Sequence, residues 1–509
     1  MSSITNSGST YSATTEPNAE WPLLLALASA VALLHILTNG RYGFHRDELQ
    51  FLSDARHLDW GFVSYPPLTP FLEHIGLALF GVSLTGLRLF SVIFQAAVIL
   101  VTGLMAKELG GSRLAQFTAA LAVAFSPLPL FNATEFQYTS FDFFWWVLSA
   151  YFVIRLLHSE DPRWLLAIGA TVGIGLLTKY SIVFYIAGIL AGVVLTSARR
   201  YLLSIWFWSG IALGLLIFLP NFLWLARHDF IAYHFLQNIH ARDVRIGRAD
   251  SFLLDQFRIG ANFATFPLWL IGIVAYLRCR RYRMVAFMYL VPLALFFFGK
   301  GRGYYMAAGY PMLLAMGATR IAHRLTLLPT WGRRTALAAY FSAFAIGSAY
   351  IIAIIIPLAP SGPLRDFALK RNGDLREEFG WNELVRTVAQ IRDSLPPDEQ
   401  AHLGIATGNY GEYGAIEILG AAYGLPQPIG TTNSEYLRGY PTPQPTTIIV
   451  IGNDPATANA LFTSCRVAGH NGNSEGIKNE ESEYHPDIFV CGPPRLSWPE
   501  LWKNHQNFG

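Results

Sequence analysis

Between residues 20 and 358 the chain alternates apolar runs with short clusters of Arg and Lys, the pattern that a bilayer imposes on a chain that crosses it repeatedly. A span needs roughly 20 apolar residues, and eleven segments meet that test: about 20–38, 84–106, 114–131, 138–157, 163–178, 181–196, 202–226, 262–279, 283–299, 304–320 and 335–358. Only Thr178, Lys179 and Tyr180 separate the fifth from the sixth, which predicts a tight turn. Beyond residue 360 the pattern changes to a helical period over Trp381 to Leu395, a strand His402 to Thr407, a helix Tyr413 to Tyr423, and strands Thr447 to Ile451 and Asp487 to Cys491. That succession predicts a small α/β domain.

Positive charge sets the expected orientation. One set of alternate loops carries Lys107 with Arg113, Arg155 with Arg163, Arg199 with Arg200, Arg278 with Arg280, Arg281 and Arg283, and Arg320 with Arg324, Arg333 and Arg334. Such loops stay in the cytoplasm. Arg41 and Arg46 oppose this at the first span, and the five later loops outvote them. The N-terminus is then cytoplasmic, and an odd number of spans places everything after Pro357 outside, together with the segments Gly40 to Gly81, Arg227 to Ala261 and Gly299 to Gly303.

Composition sharpens this picture. Only 14% of residues are charged and 52% are hydrophobic, against roughly 25% charged in ordinary soluble proteins. The net charge of +3 is small and Arg residues end apolar runs without forming one stripe, which excludes nucleic acid as a partner. The first residues are Ser/Thr-rich without Lys or Arg, so 1–19 is expected to be a disordered tail, 20–358 the membrane domain and 360–509 a soluble extracytoplasmic domain. Cys279, Cys465 and Cys491 lack metal-ligand spacing. An oxidising compartment would permit Cys465 and Cys491 to pair.

Ionisable residues at membrane edges are candidates for function. The densest group is Arg41-Tyr42-Gly43-Phe44-His45-Arg46-Asp47-Glu48-Leu49-Gln50, after which an aromatic segment leads to Tyr65-Pro66-Pro67-Leu68. Adjacent carboxylates on a helix diverge by about 100°, so Asp47 and Glu48 cannot serve one atom together; one acts while the other binds or supports. The alternative is a solvated cluster in which both pair with Arg46 or Arg56. Glu135, Asp142, Lys179, Lys300 and Arg302 beside Tyr304-Tyr305 fall on the same predicted side. His35, His74, His158 and His234 have no metal-site spacing. Gly408-Asn409-Tyr410-Gly411 lies between strand and helix but matches neither phosphate-loop pattern, and reads first as a structural turn.

An ordered series of stretches, Arg41 to Leu49, His57-Leu58-Asp59-Trp60-Gly61-Phe62-Val63, Pro66-Pro67-Leu68, Leu87-Arg88-Leu89, Leu177-Thr178-Lys179-Tyr180-Ser181, Leu219-Pro220-Asn221, Gly303-Tyr304-Tyr305 and Tyr310-Pro311, resembles the bacterial branch of the family 39 protein mannosyltransferase-like membrane glycosyltransferases. The resemblance implies a polytopic α-helical membrane protein of the C-type glycosyltransferase fold, with about eleven transmembrane helices and a C-terminal extracytoplasmic α/β domain. It also implies a polyprenyl-phosphate sugar as donor and inversion at the anomeric carbon. Asp47 matches the Asp of the family's acidic pair in the first outer loop and is the expected general base, followed by Glu48. The family often has proline where Ala308 or Gly309 stands, and its donor-side basic residue maps onto Lys300 or Arg302.

The expected chemistry is transfer of a sugar to an envelope lipid, glycan or protein acceptor at the outer face of a bacterial inner membrane. Lys300 and Arg302 would clamp the donor phosphate, with Lys179 and Arg46 as alternatives, and Tyr65, Tyr304, Tyr305, Glu135 and Asp142 would line the substrate site. No cofactor is assigned, and a divalent metal is left open. A secondary transporter is the competing class. It would place charges at the midplane and often repeat its halves, whereas here charges gather at one face.

Overall fold

The computed structural model describes residues 18–509. Residues 1–17 of the expected tail lie outside the described residues. Helices follow the apolar runs: α1 Trp21–Thr38, α4 Leu84–Glu108, α5 Arg113–Ala124, α6 Pro127–Asn132, α7 Tyr138–Ser159, α8 Trp164–Leu176, α9 Ile182–Leu195, α10 Ile205–Arg227, α13 Phe266–Arg278, α14 Arg283–Phe298, α15 Tyr310–Leu325 and α16 Thr330–Ile355. Each of the eleven expected segments therefore carries helix. The stretch 114–131 divides into two, because Ser126 is extended (ψ 148°) ahead of Pro127, as the residue before a proline prefers.

Among the described residues five helices, α1, α4, α7, α10 and α16, are long and apolar enough to cross a membrane singly. At ~1.5 Å per residue the 13 residues of α8 reach only about 20 Å, and the chain turns over Leu177 to Ser181 into α9. Short helices are held by close packing. Gly169 and Gly173 of α8 face Gly210 and Gly214 of α10 so closely that an added Cβ would strike backbone, the small-residue crossing common between membrane helices.

The predicted outer segments are not loops. Gly40 to Gly81 folds into α2 Arg46–Arg56 and α3 Leu68–Phe80, and Arg227 to Ala261 into α11 Ile231–Arg245 and α12 Phe252–Arg258. Helix ends sort to two poles. At one, Gln116 Nε2 donates to the Asn18 carbonyl (2.9 Å), Arg155 pairs with Glu108 (2.8 Å), Arg200 with Glu160 (3.0 Å), and Arg281 Nε donates to the Leu157 carbonyl (2.7 Å). At the other, Leu68 N donates to the Leu177 carbonyl (2.9 Å), Asn221 Nδ2 to the Trp60 carbonyl (2.7 Å), and Arg41 to the Pro357 carbonyl (3.2 Å).

The C-terminal part contributes α17 Pro363–Arg371, α18 Trp381–Ser394, α19 Pro397–Ala401, α20 Tyr410–Leu419 and a five-stranded sheet. Its strands are β1 Leu403–Thr407, β2 Pro428–Gly430, β3 Thr447–Val450, β4 Arg466–His470 and β5 Asp487–Cys491, in the order β2-β1-β3-β5-β4. The β1 pairings with β2 and β3 are parallel, and β5 runs antiparallel to β3 and β4. Cys465 and Cys491 form a disulfide, with Cα atoms 4.0 Å apart. Leu49 and Leu52 of α2 share one buried core with Val385, Ile405, Ile416 and Ile449. Burying those side chains favours docking of the two parts by the ordinary hydrophobic term, and the result is that α2 is the floor on which the sheet domain sits.

Candidate active site

Helix α2 starts with a capping box. The His45 ring accepts from Asp47 N (3.1 Å), and Glu48 accepts from His45 N (2.8 Å). This fixes the two acids in the first turn, where the helix dipole favours negative charge. They then part. Asp47 is half-buried, with Oδ2 accepting from Gln137 Nε2 (3.0 Å) and Oδ1 accepting from the Tyr410 hydroxyl (3.0 Å).

Glu48 turns inward and is only 1% exposed. Its Oε1 accepts from Arg88 Nε (2.8 Å) and Phe136 N (2.7 Å), and its Oε2 accepts from Arg88 Nη2 (2.7 Å) and His45 N (2.8 Å). Arg88, also buried, continues to the Asn39 carbonyl (2.7 Å) and to Glu378 (3.4 Å). With two donors on each oxygen, Glu48 is the tie between α2, α4 and the C-terminal part. Between the two alternatives for adjacent acids, its geometry is that of the supporting one.

Gln137 Nε2 also reaches Glu135 Oε2 (3.2 Å), so one amide bridges two carboxylates. Glu135 lies 3.9 Å from His45 Nδ1, and burial, with Asp374, Glu378 and Glu48 nearby, holds its pKa well above the ordinary glutamate range. Next in sequence, Tyr138 opens α7 and feels the charges of Asp47 and Arg302. Lys179 Nζ lies over the rings of Tyr138 (4.8 Å), Tyr304 (5.2 Å) and Tyr305 (4.6 Å), a three-sided aromatic cage. For a partly buried lysine, cation–π contacts of this kind contribute about 0.5–2 kcal/mol. Asp142, one turn into α7 and buried, is the carboxylate in whose field Lys179 stands.

The other expected site residues have different surroundings. Arg302 Nε is 2.5 Å from Asp243 Oδ2, beside Tyr304 and Tyr305. Lys300 is exposed, on a turn with φ 51°. Arg46 pairs with Glu480 (2.5 Å) and Glu481 (3.6 Å) and covers the Tyr410 ring at 5.5 Å. Tyr65 is buried, packs on Phe51 and Tyr138, and donates its hydroxyl to Asp54. The structure thus gathers Asp47, Glu135, Lys179, Tyr304, Tyr305 and Arg302 around Gln137 and Tyr138, with Asp142 behind Lys179. It does not bring Glu48, Lys300, Arg46 or the Tyr65 hydroxyl into that cluster.

Gln137, Tyr138, Tyr410 and Asp243 were missed by reasoning from sequence. Arg88 carried a usable signal, since an Arg inside an apolar run demands a buried partner. Among the described residues no group of three His, Cys, Asp or Glu side chains is arranged to hold a metal ion.

Residues 64–224 match the family model described as dolichyl-phosphate-mannose-protein mannosyltransferase. That stretch holds Glu135, Tyr138, Asp142 and Lys179 but not Asp47. Lipid A galacturonosyltransferase RgtD of Rhizobium johnstonii is 25% identical over 252 residues, 48% of this chain and 53% of that protein, so the match spans about half of that relative's length. Among solved structures, ArnT from Cupriavidus metallidurans in the apo state is similar with a TM-score of 0.59 at 14% identity. ArnT bound to undecaprenyl phosphate gives 0.57 at 15%. Both alignments cover 93% of this chain and 98% of the other. The fold is that of the ArnT membrane proteins, and the resemblance expected from the sequence is met.

Proposed function

We propose that this chain is a membrane glycosyltransferase that moves a sugar from a polyprenyl-phosphate donor to a hydroxyl of an envelope lipid, glycan or protein, at the outer face of the cytoplasmic membrane. The observation that carries the reading is that Asp47 and Lys179 both neighbour Tyr138: a base whose oxygens each accept one side-chain hydrogen bond, and a cation without an ion pair among the described residues. The family match and the undecaprenyl phosphate bound to ArnT support a polyprenyl-phosphate donor.

In the proposed reaction Asp47 takes the acceptor hydroxyl proton as its oxygen bonds the anomeric carbon, while the bond from that carbon to the phosphate oxygen breaks and the electron pair leaves with the lipid phosphate. Attack opposite the leaving group inverts the centre. Lys179 meets the charge that grows on the phosphate, and Arg302, held by Asp243, adds positive potential at the same wall. Tyr304 and Tyr305 flank the donor. Glu135 holds Gln137, Asp142 stands behind Lys179 out of ion-pair contact, Glu48 braces α2, and exposed Lys300 attracts donor from the rim.

The eleven helical segments are proposed as eleven crossings, with the pole of Asn18 and the Arg clusters in the cytoplasm and residues 360–509 outside. The decisive test is sugar transfer from a lipid-linked donor by purified, monodisperse Asp47→Asn. Loss of a general base lowers rate by roughly 10²- to 10⁴-fold, so a fall of at least about a hundredfold is expected; near-normal turnover at saturating donor would remove Asp47 from the mechanism.

A further inference from the structure

The Gly408-Asn409-Tyr410-Gly411 stretch is neither a phosphate loop nor an idle turn. Asn409 caps α20, its Oδ1 accepting from Glu412 N (3.0 Å), while Glu412 Oε2 accepts from Gly408 N (2.9 Å). Asn409 Nδ2 donates to Glu481 (3.2 Å), and Glu481 faces Arg46. Gly411 and Gly414, one turn apart on α20, lie against the Arg46 side chain and the Leu49 carbonyl so tightly that a Cβ at either would collide. The two glycines let α20 lie directly on α2. That crossing delivers the Tyr410 hydroxyl to Asp47, 363 positions earlier in the chain.

We propose that Tyr410 is a positioning residue of the active site, supplied by the C-terminal domain, whose hydroxyl fixes the Asp47 carboxylate in the orientation that accepts the acceptor's proton. This rests on the assignment of Asp47 as base. Asp47 has two side-chain donors, one on each oxygen: Gln137 from the membrane domain and Tyr410 from the sheet domain. Together they fix both its rotation and its tilt, and leave each oxygen a lone pair for the acceptor. A carboxylate held by only one donor swings about its Cβ–Cγ bond and spends less time aligned with the attacking hydroxyl, and misalignment of this kind is expensive in rate. Arg46 stacked on the ring prevents Tyr410 from withdrawing. Burial and the Asp47 charge also hold the phenol's pKa above its ordinary value, so it stays a donor throughout the physiological range.

The test is Tyr410→Phe, which keeps the ring under Arg46 and deletes one oxygen. With lipid-linked donor and purified full-length protein, kcat is expected to fall by about tenfold or more, while the donor KM and the thermal midpoint stay close to wild type. In an Asp47→Asn background the same change should cause no further loss, because residues acting through one group are not additive. Turnover of Tyr410→Phe within about twofold of wild type, or a double variant whose loss is the product of the two single losses, would overturn the proposal while leaving Asp47 as base. Normal turnover by Asp47→Asn alone would instead bring down the base assignment, and Tyr410 with it.

Discussion

Replacing Glu48 by Gln separates scaffold from chemistry in the adjacent acids. Each Glu48 oxygen accepts one Arg88 N–H and one backbone N–H. The amide of Gln has one oxygen and one NH2. In either orientation its NH2 faces an arginine N–H and a backbone N–H, donor against donor, in a site that is 1% exposed. Two hydrogen bonds to a charged group are lost, each worth about 1.5–3 kcal/mol, and Arg88 keeps Glu378 at 3.4 Å as its one carboxylate partner among the described residues. The sum agrees with the about 3–5 kcal/mol lost when one partner of a buried ion pair is removed. Asp47→Asn is different: the site is half-buried, one oxygen remains for Tyr410, and Gln137 keeps Glu135 as acceptor, so only about 1 kcal/mol is expected for the one hydrogen bond lost. The assay is thermal unfolding of the detergent-purified variants at one scan rate, with transfer measured on the folded fraction. Glu48→Gln should melt well below wild type yet retain more turnover per folded molecule than Asp47→Asn, which should melt near wild type. Equal melting of Glu48→Gln and wild type would refute the reading of Glu48 as a tie.

Four further outcomes are expected. Lys179→Met should raise the donor KM by about ten- to hundredfold through loss of one charge-assisted phosphate contact, and Lys300→Gln by much less; the reverse ranking would return the clamp to Lys300. In cells whose envelope admits the reagent, a membrane-impermeant maleimide should label Ser474→Cys and spare Ser112→Cys, both in a Cys279→Ser background, since both sites are exposed and lie at opposite poles; the opposite pattern inverts the topology. Burial raises Glu377 and Glu378 from 4.5 to about 7, and Glu412 and Glu435 from 4.5 to about 8. The folded state therefore holds protons that the unfolded chain releases, and stability from these groups is full below about pH 4.5 and is lost as pH rises through 7 to 8, so the thermal midpoint should be higher at pH 5.5 than at pH 8.5, and a flat or opposite trend counts against it. Cys465→Ser should lower stability of the sheet domain by about 3–4 kcal/mol, from the loop entropy of the 26-residue separation, and free thiols found at both positions in the isolated protein would contradict the pairing.

How much of this was legible follows from the range of each interaction. Apolar runs and alternating Arg clusters are local patterns, and they located the helices of the eleven apolar runs but not α2, α3, α11 and α12 in the segments between them. The divergence of Asp47 and Glu48 followed from the helical angle between neighbours. Strands β2 and β4 were not legible: β2 has three residues, and β4 is an edge strand with little burial and no apolar alternation. In the site, the acids of α2 could be singled out because charge is dense there. Their partners Arg88, Gln137 and Tyr410 are 40, 90 and 363 positions away, and no period in the sequence links them.

The cation of the site shows the same limit from the other side. By sequence, Lys300 and Arg302 stand beside Tyr304-Tyr305 and look like the clamp, while Lys179 in its tight turn stands only as an alternative. Folding reverses their standing. Arg302 is committed to Asp243, Lys300 faces outward, and the turn after α8 lifts Lys179 into the three tyrosines. A lysine held by ring faces keeps its charge uncompensated by any carboxylate contact, whereas one in an ion pair has spent much of its field on its partner. An incoming phosphate adds to the first arrangement and must compete in the second. The cage therefore favours Lys179 as the phosphate ligand of the proposed reaction on electrostatic grounds, and Tyr138, which neighbours both groups, would set that phosphate near the carboxylate that Gln137 and Tyr410 hold in place.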